Sequence, residues 1–321
     1  MADFKVTDVE TAEVTNKTGL KPFPCNDNGL IEESTKNGLS WEIHFSTKLA
    51  SFDSFKKIDR CLYILWCFQW DEAELKSQGY DGYMGEVVVV YRNLHNQTVR
   101  LPYQVELIHS GHWIQRRIGT DDETKYAEAR YVAHRFFAIE FSLRKFTFEA
   151  KSAPSNFNDS VLIVEGRKID VNKKYLSMHS EYFDKLFNSG LKKKSISVDD
   201  VKYADFSRLL NTIHPMRPVL PTDETMEVLL ILAEQFMFPV VTERVINHLR
   251  YSSDLSLEGF LRITDKYKLH KLWELILKPI NSGQRMQLLV KNINYENLSE
   301  TARLKLFSHF AKTMEQCQFS K

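Results

Sequence analysis

The stretch KKYLSMHSEYFDKLFN (residues 173–188) sets Ser177, His179, Ser180 and Asp184 within eight residues, the side-chain types of a hydrolytic triad. A triad needs the serine Oγ against one imidazole nitrogen and a carboxylate against the other. Ser177 and His179 are two positions apart, a spacing that points them to different sides of a helix or turn. No G-x-S-x-G elbow is present to expose a strained nucleophile. Helix-start chemistry accounts for the same residues. Ser180 reads as an N-cap, Glu181 stands in the first turn beside the helix dipole, and Tyr182, Phe183, Leu186 and Phe187 form an apolar stripe. His109 and His112 in HSGHWIQRRIGTDDE lie close to Asp121 and Asp122. The intervening Ser-Gly reads as a turn, and no further Cys or His lies at ligand spacing, so no metal is expected. The lysines of LKKKS (191–195) read as a solvated loop. Gly79, Gly82 and Gly85 precede no helix and make no phosphate loop. No enzyme is specified and no cofactor is expected.

The elements that must hold these residues fall within 321 residues, enough for about two domains. Apolar residues make up 43% and charged residues 26%, the balance of a soluble chain able to bury cores. A formal charge of +1 argues against nucleic-acid binding. No apolar run reaches the ~20 residues that span a bilayer, so no membrane partner is expected. The start MADFKVTDVETAEV has no apolar core of a secretory signal. Four cysteines, at 25, 61, 67 and 317, match neither a zinc pattern nor a disulfide framework, which suits free thiols in cytoplasm or nucleus.

Residues 1–36 are polar and turn-rich and read as a flexible tail. From residue 37 to 150 the rhythm is that of strands. LSWEIHFS alternates Leu39, Trp41, Ile43 and Phe45 on one face, which makes Trp41 a core residue. CLYILWCFQW, GEVVVVYRNL, RLPYQVELIHS and RFFAIEFSLRKFTF continue the series with no amphipathic helix of useful length, indicating an antiparallel β-sandwich. A linker, 151–158, contains Pro154. Two short strands then meet at a Glu165-Gly166 turn. Helical patterns follow. TDETMEVLLILAEQF has Thr222 as N-cap with Asp223 and Glu224 in the first turn. SLEGFLRITDKYKLHKLWELIL breaks near Tyr267-Lys268-Leu269, and YENLSETARLKLFSHF takes Ser299 as its cap.

Residues 158–187, NDSVLIVEGRKIDVNKKYLSMHSEYFDKLF, resemble the opening of a BTB (POZ) domain through Asp159, Val161, Ile163, Ile169, Val171, Leu176, Ser180, Phe183 and Phe187. SISVDDVKYADFSRLLNTIHP and LLILAEQFMFPVVTERVINHL continue the match through Ile196, Val198, Phe206, Leu209, Leu229, Ala233, Phe236 and Leu249. The first half is similar to a MATH (TRAF-like) sandwich in NGLSWEIHF, SGHWIQRRIG, Tyr131-Val132 and FFAIEFSL. Together the chain resembles a nematode-type MATH-BTB protein. The fold class is α+β: a MATH-like β-sandwich over 37–150, an α/β BTB domain over 159–250 and a helical extension over 251–321.

The resemblance implies a substrate-recognition adaptor of a cullin 3 type RING ubiquitin ligase that performs no chemistry itself. A MATH groove would hold an extended substrate peptide by strand addition, with Trp113 either in the groove or in the core. The BTB domain would homodimerise through Tyr175 and Leu176, and would touch the cullin through Phe187, Leu191, Lys193 and Phe238. Two departures from the family count. Lys193 stands where an acid is usual in the cullin motif, a charge reversal that weakens docking unless compensated. AKSAPSNFN leaves no room for an added N-terminal dimer helix. Asn172 replaces a His usual before the hairpin lysine, with no clear consequence from sequence. The alternative is a dimeric BTB scaffold that binds proteins without a cullin.

Overall fold

The computed structural model describes residues 14–17, 21–22, 28–52, 57–92, 97–118, 136–148, 158–189, 195–282 and 295–318, with single positions 287, 289, 290 and 293 between the last two. Among these the chain divides into two compact units. One gathers residues within 1–46, 64–113 and 127–148, and the other those within 47–63, 114–126 and 149–321.

The β-rich part is built from two sheets. In one, β1 (Val14–Lys17), β9 (Phe136–Phe146), β6 (Gly82–Arg92) and β7 (Thr98–Leu107) lie side by side, and β2 (Lys21–Pro22) also pairs with β9. These pairings are antiparallel. The other has the order β3 (Asn28–Lys36), β4 (Leu39–Phe52), β5 (Lys57–Gln69), β8 (Trp113–Ile118). Leu39, Trp41, Ile43 and Phe45 are all buried, as their two-residue period requires. Across the two sheets the Phe141 ring meets Trp41 edge-on at 4.9 Å and Phe68 at 5.1 Å. Each such aromatic pair adds about 0.5–1.5 kcal/mol beyond the area it buries.

Two features of this part differ from the sequence reading. The stretch 1–36, read as a flexible tail, contributes β1, β2 and β3, while residues 1–13 lie outside the described ones. β3 is an edge strand whose described side chains are mostly exposed. Pairing through the backbone lets a polar segment join a sheet without an apolar face. A short helix, α1 (Glu72–Ser77), interrupts the strands, capped by Asp71 Oδ1 accepting from Glu74 N at 2.9 Å. It is too short to show a period, since only Leu75 is buried. Gly82 and Gly85 serve close backbone approach: a Cβ on either would meet the carbonyl oxygen of Leu107 or Ser142 at 2.0 Å.

The second unit contains a three-stranded sheet of order β11 (Arg167–Val171), β10 (Ser160–Val164), β12 (Ser195–Ser197), with β10 and β12 parallel. Glu165 and Gly166, at φ 48° and 76°, form the tight turn between β10 and β11. The helices are α2 (Lys173–His179), α3 (Glu181–Asn188), α4 (Tyr203–Thr212), α5 (Met226–Gln235) and α6 (Pro239–Tyr251). They are followed by α7 (Leu257–Lys266), α8 (His270–Leu277) and α9 (Glu300–Gln318). Lys268 at φ 52° separates α7 from α8 where the sequence breaks its period. The helix expected to start after Thr222 is preceded by a turn in which Thr222 O accepts from Met226 N at 2.9 Å, and Thr225 is the residue before the regular helix.

Candidate protein-interaction surfaces

The hairpin α2–α3 is assembled by side-chain caps. Asn172 Oδ1 accepts from Tyr175 N at 2.7 Å, and Asp159 Oδ1 accepts from Lys173 N at 2.8 Å, so both residues organise the start of α2. Ser180 Oγ accepts from Phe183 N at 3.1 Å and donates to Phe236 O at 2.5 Å. One hydroxyl thus caps α3 and ties it to the end of α5. This bond places Phe183, fully buried, among Phe236, Phe238, Phe206 and Phe187, with ring centroids 5.7–6.2 Å away.

The residues first weighed as a triad have other uses. Asp184 Oδ1 accepts from Asn188 Nδ2 at 2.9 Å. The His179 ring packs edge-on against Tyr175 at 4.6 Å. Burial, then the charge of Arg244, push the His179 imidazole below its ordinary pKa and so favour its neutral form. Tyr175 donates its hydroxyl to Ile213 O, and Arg244 donates to Thr212 O. Both close carbonyls at the C-terminus of α4. Burial pushes the Tyr175 phenol upward, keeping it a donor.

Of the two dimer candidates, Tyr175 is half-buried and Leu176 is 3% exposed, inside the core. Of the cullin candidates, Phe187 is half-buried with Lys173 Nζ 5.8 Å from its ring centroid, while Phe238 is fully buried. The single chain therefore does not present Leu176 or Phe238 to a partner. Both belong to the buried core that contains Phe183, Leu176 from α2 and Phe238 from the residue that precedes α6. Leu191 and Lys193 lie outside the described residues. The sequence reading missed Met178 and Met237, whose side chains stand out from the same hairpin region at 72% and 45% exposure.

Polar contacts also brace the helices around this surface. His248 Nε2 and Asp223 Oδ1 are 2.8 Å apart, and Asp254 N donates to Asp223 Oδ2 at 2.8 Å. Burial alone would raise the Asp223 carboxyl, but His248, Ser253 and the Asp254 amide outweigh it and hold the group below its ordinary pKa. Glu227 on α5 accepts from Arg262 at 2.6 Å, Lys266 at 3.0 Å and Tyr267 at 3.1 Å. Burial opposes its ionisation, yet the two cations prevail and bring it down to about 2.

On the β-rich unit, Trp113 is 44% exposed and meets His44 edge-on at 5.2 Å. His44 pairs in register with Leu30, which is 48% exposed. Trp113 is therefore a surface residue, whereas Trp41 is core. The turn before Trp113 is fixed by Ser110 Oγ, which accepts from Trp70 N and donates to Trp70 O, each at 2.8 Å. Among the described residues no group of three His, Cys, Asp or Glu side chains gathers at metal-binding distance. Burial pushes the thiol of the buried, free Cys67 upward. No described helix is long and apolar enough to cross a membrane.

The β10–β11 hairpin leads into the capped α2–α3 hairpin, which closes on a phenylalanine-centred helical core. The family model for the BTB/POZ domain matches residues 148–253. The chain carries a BTB/POZ domain, and its relatives are BTB/POZ and BTB–MATH proteins of Caenorhabditis elegans. BTB/POZ domain-containing protein Y57A10B.3 is 28% identical over 302 residues, covering 90% of this chain and 88% of that protein. BTB and MATH domain-containing protein 36 is 30% identical over 146 residues, 44% of this chain and 45% of its own length. Among solved structures, the BTB domain of zebrafish PATZ1 is 23% identical and covers 30% of this chain and 78% of that one, with a TM-score of 0.26.

Proposed function

We propose that the chain is a two-ended protein adaptor: its β-rich half is a MATH-like sandwich that binds a substrate peptide, and its BTB domain dimerises and docks a cullin 3 type scaffold. The observation that carries this reading is the BTB/POZ match joined to a β-rich half bearing an exposed tryptophan. An aromatic side chain held on a sheet surface suits capture of an extended peptide, with backbone bonds supplying affinity and side-chain pockets choice. Dimerisation would give two such arms, and weak peptide sites would gain by acting together. The adaptor contributes proximity and no bond-making. Such a protein would work in the cytoplasm or nucleus.

Lys193 favours the second reading, a dimeric BTB scaffold without a cullin, because it puts a positive charge where the family's docking motif has an acid. The test is a pull-down of the purified chain with the N-terminal region of a cullin 3 type scaffold, beside a Lys193→Glu variant. The adaptor reading expects capture of both, with the variant bound more tightly. If neither is captured at about micromolar concentration, the ligase role fails and the scaffold remains.

A further inference from the structure

Helix α9 is apolar on two sides. Ala302, Leu306 and Thr313 are buried against the rest of the unit. Leu304 and Phe307 point the other way, 58% and 65% exposed, with Met314 two turns further on at 39%. Beside this outer stripe, Leu277 at the end of α8 faces Leu304, Lys305, Ser308, His309 and Lys312 across an open groove of about 410 Å³. Its length along α9 is roughly 16 Å, or three helical turns.

The charges of this groove are of one sign. No acid lines it. Lys312 has no hydrogen-bond or ion-pair partner among the described residues. Among the described residues Lys305 touches the His270 ring nitrogen at 3.4 Å and the Trp273 ring face at 5.2 Å. Some cations elsewhere on the same unit do have a carboxylate partner, Lys185 with Glu181, Arg262 and Lys266 with Glu227, and Lys271 with Glu243. An apolar floor flanked by unneutralised lysines attracts apolar side chains and carboxylates together. A groove bounded by two helices accepts a third by ridge-and-groove packing, with apolar anchors at i, i+4 and i+7.

We infer that the α8–α9 groove is a docking site for an acidic amphipathic helix of a partner protein. The site is separate from the BTB hairpin, and the inference does not rest on the adaptor reading. It is tested with the full chain and a fluorescent designed helix, leucines at i, i+4 and i+7 and glutamates flanking them, against the same helix with lysines for glutamates. Fluorescence anisotropy should show the acidic helix binding at least about tenfold more tightly at low salt, with the gap narrowing as salt screens it. The double variant Lys305→Glu, Lys312→Glu should invert the preference, and Leu304→Asp should weaken both helices. These positions are largely on the surface, so an unchanged far-UV spectrum is expected in each variant. Equal affinity for the two helices, or binding of neither, overturns the proposal. So does sedimentation showing a concentration-dependent dimer that Leu304→Asp dissolves, because a second copy of the chain would then cover this face.

Discussion

In the β-rich unit the named core contacts are apolar, with Trp41 and Phe68 pressing on Phe141 from the opposite sheet. In the helical unit the aromatic cluster around Phe183 is pinned by polar atoms: Ser180 Oγ on Phe236 O, Tyr175 hydroxyl on Ile213 O, and Asp223 on His248. The difference follows from where each backbone spends its hydrogen bonds. A strand bonds to its neighbour, so its register, and with it the facing of every side chain, is set by the ladder. A helix satisfies its backbone internally and is free to slide or rotate against others under non-directional apolar contact. Directional side-chain bonds remove that freedom. The surfaces differ accordingly. Trp113 stands out by strand parity beside buried Ile114, whereas the hairpin surface of the BTB domain depends on a few capping atoms.

The sharpest test of this contrast removes the centre of the pinned cluster. Phe183→Ala should cost about 3–5 kcal/mol in urea unfolding, the range for truncating a buried phenylalanine. Ser180→Ala should cost about 2 kcal/mol, because one hydroxyl supplies both a cap and a cross-helix bond. If it costs no more than an ordinary exposed cap, the bond to Phe236 O does not pin the helices. Glu227→Gln should cost about 1 kcal/mol at neutral pH, reduced by partial exposure. Its acid behaviour is more telling. The folded carboxyl titrates near 2, below its ordinary value of 4.5. Its stabilisation is therefore complete above the ordinary value and is lost as pH falls toward the folded one. Glu227→Gln should flatten the loss of stability across that acid window, measured by thermal melts. Trp113→Ala should leave stability within about 0.5 kcal/mol while reducing peptide capture. A large loss of stability would make Trp113 a packing residue and erase the contrast between sheet surface and sheet core.

Much of the architecture was legible because it rests on local spacing. The alternation in LSWEIHFS, the Glu165-Gly166 turn, the Ser180 cap, the Ser299 cap (its Oγ accepts from Ala302 N at 3.2 Å) and the break at Lys268 involve residues within a few positions of one another. The misreadings have a shared cause. β3 lacked an apolar pattern because an edge strand is held by its backbone partner. Helix α1 was too short for a period. Asp223 was read as a first-turn acid, yet its partners His248 and Asp254 are 25 and 31 residues away. Leu176 and Phe238 were placed on binding surfaces by family pattern, and in the single chain both are buried in the core.

By itself the sequence determined which segments are strands and helices, where most of them begin, and the BTB part of the resemblance, which the BTB/POZ match at 148–253 bears out. Those properties depend on periodicity and capping, which act over one or two turns of chain. Only the tertiary structure decided that Ser180 bonds a carbonyl 56 residues away, that Tyr175 closes α4, that Glu227 gathers cations from α7, and that Leu304 and Phe307 remain uncovered. Each of these depends on which distant surfaces meet, and hydrophobic pattern alone does not choose between helix faces of similar composition.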